Sequence, residues 1–181
     1  MKKIKTLVLV ATFVMSTSVY PQEKQEKNVV YTNVIPIIFL RYLNFHYERV
    51  LSNKITLLVG AGFWAGKVGL SLFGYTAEAE ILITPLKFGF GFYPAGRPLR
   101  GFYFLPNVVL YYISAKNTEG WQTASFHTIN VEFGHRWIWK DGYMFDLSIG
   151  IGIVSSPEGE TESYYSGILP THVGVQVGYA W

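Results

Sequence analysis

The chain has 181 residues, the size of one domain; half are apolar and 17% aromatic, while only 15% are charged, against roughly 25% in ordinary soluble domains. It has no cysteine, which excludes disulfides, thiolate metal sites, a cysteine nucleophile and lipid attachment through an N-terminal cysteine. Fifteen basic and twelve acidic side chains give a net charge of +3, but Lys2, Lys3 and Lys5 account for that excess. Without them the chain is neutral, and no electrostatic case for nucleic acid remains.

Those three lysines open a secretory signal pattern: a basic start, an apolar run from Thr6 to Met15, then Ser16, Thr17 and Ser18 as small residues for cleavage. Residues 1–18 are expected to be removed, with the cut falling after Ser18 or as far along as Gln22. The apolar run is shorter than the roughly 20 residues a membrane-spanning helix needs. Residues 19–28 read as a polar leader, disordered in the periplasm. From 29 to 181 no helical period is sustained, and the spacing predicts eight strands. They fall at Val29–Leu40, Leu43–Leu51, Ile55–Trp64, Thr76–Tyr93, Gly101–Ala115, Thr123–Trp139, Tyr143–Val154 and Gly167–Trp181. Leu51–Lys54 and Lys140–Gly142 are tight turns, whereas 66–75, 114–122 and 155–166 read as longer polar or glycine-rich loops. Short turns at one end and long loops at the other are the asymmetry of an outer-membrane barrel. Pro94–Arg100 is the misfit, since it makes one of the turns unexpectedly long.

The alternating faces carry the fold class. In the last strand Val173, Val175, Val177, Tyr179 and Trp181 share one face, and His172, Gly174, Gln176, Gly178 and Ala180 the other. In the seventh, Phe145, Leu147, Ile149, Ile151 and Ile153 alternate with Met144, Asp146, Ser148, Gly150 and Gly152. A water-facing side would carry Lys, Glu and Thr, because glycine weakens a strand and packs nothing. Small residues with sparse polar ones suit the crowded interior of a narrow barrel. Aromatic residues near strand ends, Trp137, Trp139 and Tyr143 among them, fit interfacial girdles. The expectation is all-β: an eight-stranded antiparallel transmembrane β-barrel wound as an up-and-down meander. The alternative is a secreted β-sandwich or lipocalin-like barrel.

Asn33 to Ile38, Phe45 to Lys54 and Gly101 to Pro106 resemble stretches of a family of small bacterial outer-membrane barrel proteins catalogued as a domain of unknown function. Its motifs here are Tyr47-Glu48-Arg49-x-Leu51-Ser52 at a strand end and Gly101-Phe102-Tyr103 at a strand start, and the likeness spans nearly all of 29–181. The architecture also resembles the OmpA transmembrane domain and OmpX. The closing Val177, Tyr179 and Trp181 resemble the C-terminal signal of Gram-negative outer-membrane proteins, which their barrel-assembly machinery recognises. The resemblance implies an eight-stranded barrel and supplies no catalytic residues.

Parity assigns a polar set to the lumen: His46, Glu48, Glu78, Glu80, Lys87, Asn130, Glu132, Arg136, Asp146 and Gln176. Lys87 joins it only if Pro85 marks a bulge that switches the faces of the fourth strand. Buried carboxylates and cations are costly unless paired, so Glu132, Arg136, Lys87 and the Glu78/Glu80 pair are expected to form one structural network; the competing reading is a gated pore or proton path. His127 and Thr128 faintly echo the lipid-facing His-x-Ser pair of lipid A deacylases, but adjacent residues face opposite sides. No catalytic residue, metal site or cofactor is expected. Glu158, Glu160 and Glu162 read as a solvated acidic loop rather than a calcium site. The expected role is structural or surface-interactive, in a monomer of the cell outer membrane whose partners are outer-membrane lipids, lipopolysaccharide and the barrel-assembly machinery. A narrow pore and a lipid-modifying enzyme are the alternatives.

Overall fold

The computed structural model describes residues 26–72, 75–95, 97–117, 120–155 and 168–181; the signal pattern and the acidic segment at 156–167 lie outside these. Eight strands, β1 (Asn28–Asn33), β2 (Leu43–Val50), β3 (Ile55–Leu72), β4 (Tyr75–Phe92), β5 (Gly101–Asn117), β6 (Gly120–Ile138), β7 (Tyr143–Ser155) and β8 (Ile168–Ala180), form an antiparallel meander. Each pairs with the next, and β1 with β8, so the sheet closes into a barrel and leaves no free first or last strand.

The alternation sorts side chains as the composition of the two faces requires. Glu48, Leu58, Tyr103, Leu105, Arg136, Asp146 and Gln176 are buried inside. Outside, Leu57, Val59, Phe88, Phe90, Ile129, Phe133, Ile149, Ile151, Val173 and Val177 are exposed, an apolar belt around the wall. Inward glycines leave room for large neighbours. A Cβ on Gly134 would lie 2.5 Å from the Tyr103 hydroxyl, so the tyrosine can lie flat across β6 only because the side chain is missing there.

Several sequence expectations change. Residues 34–40 are not strand: Val34–Leu40 form a short helix, α1, with Ile38, Phe39 and Leu40 exposed. The β-branched residues read as strand, but Asn33 caps the helix by accepting from Ile35 N at 3.1 Å. Pro36 falls in the first turn, where its missing N–H costs nothing. β1 and β2 are consequently short, six and eight residues, against 17 to 19 for β3 to β6. Asparagine side chains bridge the gap this leaves in the ladder. Asn33 N donates to Asn44 Oδ1 (2.8 Å), Asn33 Nδ2 to Val173 O (3.2 Å) and Val175 N to Asn33 Oδ1 (3.3 Å).

The stretches 66–75 and 114–122 are largely strand, because glycines there sit in a continuing ladder from Gly66↔Ile81 to Leu72↔Tyr75 and from Ser114↔Thr123 to Asn117↔Gly120. Pro85 makes no bulge. The register runs from Ala61↔Leu86 to Trp64↔Ile83 with equal residues on both strands, so the proline omits a ladder bond without adding a residue. The bulge lies instead in β8, where Gly150↔His172 is followed by Ile151↔Pro170 and Thr171 is the extra residue.

Residues 97–100 of the long turn fold beneath the barrel. Leu99, in a left-handed conformation (φ 68°), is fully buried against an interior apolar cluster that includes Val29, Leu58, Tyr93, Ile138 and Met144. Arg100 grips Glu26 with Nη2–Oε1 at 2.5 Å and Nε–Oε2 at 3.2 Å. The last part of the leader is therefore ordered: Lys27 N and Asn28 N both donate to Trp181 O, and Val50 N to Lys27 O.

Candidate functional site: the polar lumen

Above the apolar base, two ionic clusters are stacked inside the barrel. Arg136, on β6, comes to lie between β2 and β7: Nη1 donates to Glu48 Oε2 at 2.6 Å and Nε to Asp146 Oδ2 at 2.8 Å, with all three side chains fully shielded. Two carboxylates against one guanidinium leave a surplus negative charge, and hydroxyls meet it. Tyr93 OH and Thr56 Oγ1 donate to Glu48 Oε1, and Tyr103 OH donates to Asp146 Oδ1 at 2.9 Å. The guanidinium carbon stands 4.8 Å and 5.1 Å from the ring centres of Tyr31 and Tyr103, which adds cation–π attraction from both rings.

The second cluster lies toward the far end, away from the termini. Lys87 Nζ contacts Glu132 Oε1 at 2.5 Å, and Asn107 Nδ2 donates to the same oxygen at 3.0 Å. Asn130 donates to Asn107 Oδ1 and to Thr128 Oγ1, so the chain of amides continues along β5 and β6. Ser148 Oγ lies 2.9 Å from His172 Nε2 and accepts from Gln176 Nε2 at 2.9 Å. His46 stacks on Tyr31 with ring centres 5.1 Å apart.

Ser148 and His172 are spaced as a nucleophile and its base would be. The nearby carboxylate does not complete that arrangement: Glu132 Oε2 stands 3.9 Å from Nε2, the nitrogen already facing Ser148, and leaves the other ring nitrogen without an orienting acid. Glu132 is therefore not placed as the orienting acid of an acyl-transfer triad, and Ser148, His172 and Gln176 are linked by hydrogen bonds among themselves.

Of the ten residues assigned to the lumen from sequence, His46, Glu48, Lys87, Asn130, Glu132, Arg136, Asp146 and Gln176 line it, in two clusters and not one. Glu132 takes Lys87, and Arg136 takes Glu48 and Asp146, so Glu132 and Arg136 belong to separate ion clusters rather than to the one expected network. Glu80 is outside. With no bulge at Pro85 it keeps the outward parity and pairs across the surface with Lys67 at 3.5 Å, both largely exposed. Glu78 pairs through its backbone with Gly69, and its side chain lies outside the described set. Val177, Tyr179 and Trp181 face outward, and Trp181 packs near Tyr47 and Tyr179. His127 is exposed outside, His135 is held between Phe102 and Trp137, and Thr128 points inward. Tyr31, Tyr93, Tyr103, Thr56, Asn107 and Ser148 are not in the polar set that the sequence assigns to the lumen, and Tyr103, which reads as a girdle aromatic near a strand end, is buried inside. Inward parity marks all six, but nothing in the sequence says which of them meets a charge.

These features define a class: a closed antiparallel barrel whose interior is filled by paired charges and hydroxyls. No protein-family model matches the chain, and no curated protein matches it. Among solved structures it is similar to Ail, the attachment invasion locus protein of Yersinia pestis, at 10% identity over 87% of this chain and 100% of that one, with a TM-score of 0.44. Nothing about binding or activity follows from so distant a likeness.

Proposed function

We propose that the protein is a non-conducting barrel of the Gram-negative outer membrane with a structural and surface-interaction role and no catalytic activity. The apolar belt would sit in the hydrocarbon, the end carrying both termini in the periplasm, and the β3–β4 and β5–β6 hairpins would rise from the outer face. Exposed apolar residues on every side support the membrane setting, since soluble monomers rarely expose continuous apolar patches beyond a few hundred Å². Girdle-like contacts among Tyr143, Tyr179, Trp181 and Tyr47 support a membrane–water interface at the terminal end.

The observation that carries the non-conducting reading is the seal at the base. Arg136, Glu48 and Asp146 are fully shielded there, above a plug in which Leu99 and Tyr93 are equally buried. An ion would have to part the Arg136–Glu48–Asp146 cluster and then an apolar layer. Surface area is what the fold offers instead, on hairpins longer than the roughly 9–11 residues a membrane strand needs. The purified barrel in planar bilayers should give no steady single-channel current at 100 mV applied in either direction. Reproducible conductance steps would overturn this reading in favour of a pore.

A further inference from the structure

The wall has one irregular sector. Where β1 stops, α1 replaces strand, packs beside β8 and leads into β2. Its C-terminal end is fixed to the barrel, since Trp64 Nε1 donates to Leu40 O at 2.7 Å. Ile38, Phe39 and Leu40 are 70%, 76% and 62% exposed, more than most of the belt. After Arg41 and Tyr42 the exposed apolar surface resumes at Leu43 on β2, which pairs with exposed Phe63 on β3. The next residue after this apolar tip is Arg41.

Arg41 is unusual in two ways. It is exposed, and no carboxylate among the described residues pairs with it. It also adopts the left-handed conformation (φ 53°, ψ 30°) at the helix C-cap, where glycine is the low-cost residue and an arginine side chain adds backbone strain. A cation with no carboxylate partner among the described residues, kept at a position that favours glycine and directly beside three exposed apolar side chains, has the composition of an interfacial lipid contact. Lys67, also exposed, stands four residues beyond Phe63 on the same outer face of β3, about 13 Å farther along the strand. Among the described residues its ion-pair partner is the exposed Glu80, which holds it weakly.

We propose that α1 and Arg41 form a docking site for a phosphorylated glycolipid of the outer leaflet, the lipid A portion of lipopolysaccharide. Acyl chains lie on Ile38, Phe39 and Leu40, and a phosphate meets Arg41 with Lys67 above it. The site rests on the membrane reading given above. An anionic headgroup is favoured over a zwitterionic one because Arg41 has no carboxylate partner among the described residues, and the apolar tip distinguishes a lipid from a free phosphate.

The test is native mass spectrometry of the full barrel in zwitterionic micelles, titrated with diphosphoryl lipid A, dephosphorylated lipid A or phosphatidylethanolamine. Wild type should retain one diphosphoryl lipid A in preference to the other two. Arg41→Gly should bind it about fivefold more weakly, the worth of one cation at an anionic surface. Its melting temperature should stay equal or rise, because glycine suits the left-handed cap. Phe39→Ser should weaken diphosphoryl and dephosphorylated lipid A alike. Equal binding by wild type and Arg41→Gly, or equal retention of the three lipids by wild type, overturns the docking site. Insertion into vesicles with heat-modifiable migration is scored in parallel. A barrel that inserts but shows no preference sinks only this inference, while one that does not insert sinks the membrane reading itself.

Discussion

Arg136→Ala is the most informative single change in the lumen. The guanidinium is the only cation bonded to Glu48 and Asp146 among the described residues, and all three side chains are fully shielded. Removing it leaves two carboxylates in a low-dielectric interior, and breaking a buried pair in this way costs about 3–5 kcal/mol. Surrounding hydroxyls soften the loss without cancelling it, since Tyr93, Thr56 and Tyr103 still donate to the carboxylates. The rescue follows from the partners. Arg136→Met with Glu48→Gln and Asp146→Asn removes every charge, keeps the volume and should recover most of the stability. Arg136→Met with Glu132→Gln should not, because Glu132 is bonded to Lys87. Urea unfolding in lipid vesicles, followed by tryptophan fluorescence, reads each variant. In a double-mutant cycle Arg136→Ala and Glu132→Gln should add within about 0.5 kcal/mol, whereas Arg136→Ala and Asp146→Asn should couple strongly. A loss below about 1 kcal/mol for Arg136→Ala, the value of an exposed pair, would mean that water reaches the cluster, and the sealed base would be refuted.

Two further changes probe the wall and the terminus. Asn33→Ala removes the α1 cap and the side chain that extends the ladder to β8; it should cost about 1–2 kcal/mol and speed amide exchange at Val175, and unchanged exchange there would refute the bridging role. Deleting Trp181 should leave export intact but reduce insertion, because its backbone holds Lys27 and Asn28 and its ring continues the Tyr179 stack; normal heat-modifiable barrel in the outer membrane of such cells would count against it.

Strand number and closure were legible because a period-two pattern survives wherever one face is apolar and the other small. Legibility failed where local chemistry competed with that pattern. Val34, Ile35, Ile37 and Ile38 favour strand, yet Asn33 at the cap and Pro36 in the first turn select the helix. Gly66 and Gly69 read as loop, although a glycine in a paired strand need only leave space for its neighbour. The turn at 94–100 looked too long for a tight turn because its purpose is to carry Leu99 into the base.

The site was legible by face and not by partner, for a geometric reason. Parity tells whether a side chain points inward, but around a closed barrel an inward residue can meet any strand across the lumen. Arg136 bonds Asp146 on the adjacent β7, and also Glu48 on β2, 88 residues away in sequence. Only the register sets which residues share a level. Glu132 and Arg136, two inward positions apart on β6, look like a pair in the sequence, yet each reaches across the lumen to a different strand. One mistaken bulge at Pro85 was enough to move Glu80 from the outer surface to the interior, since a single extra residue exchanges the two faces of everything beyond it. Lys87 needed no bulge to face inward. Its parity relative to Phe88 and Phe90 assigns it there, and the continuous register puts Ile81 and Ile83 on the same face.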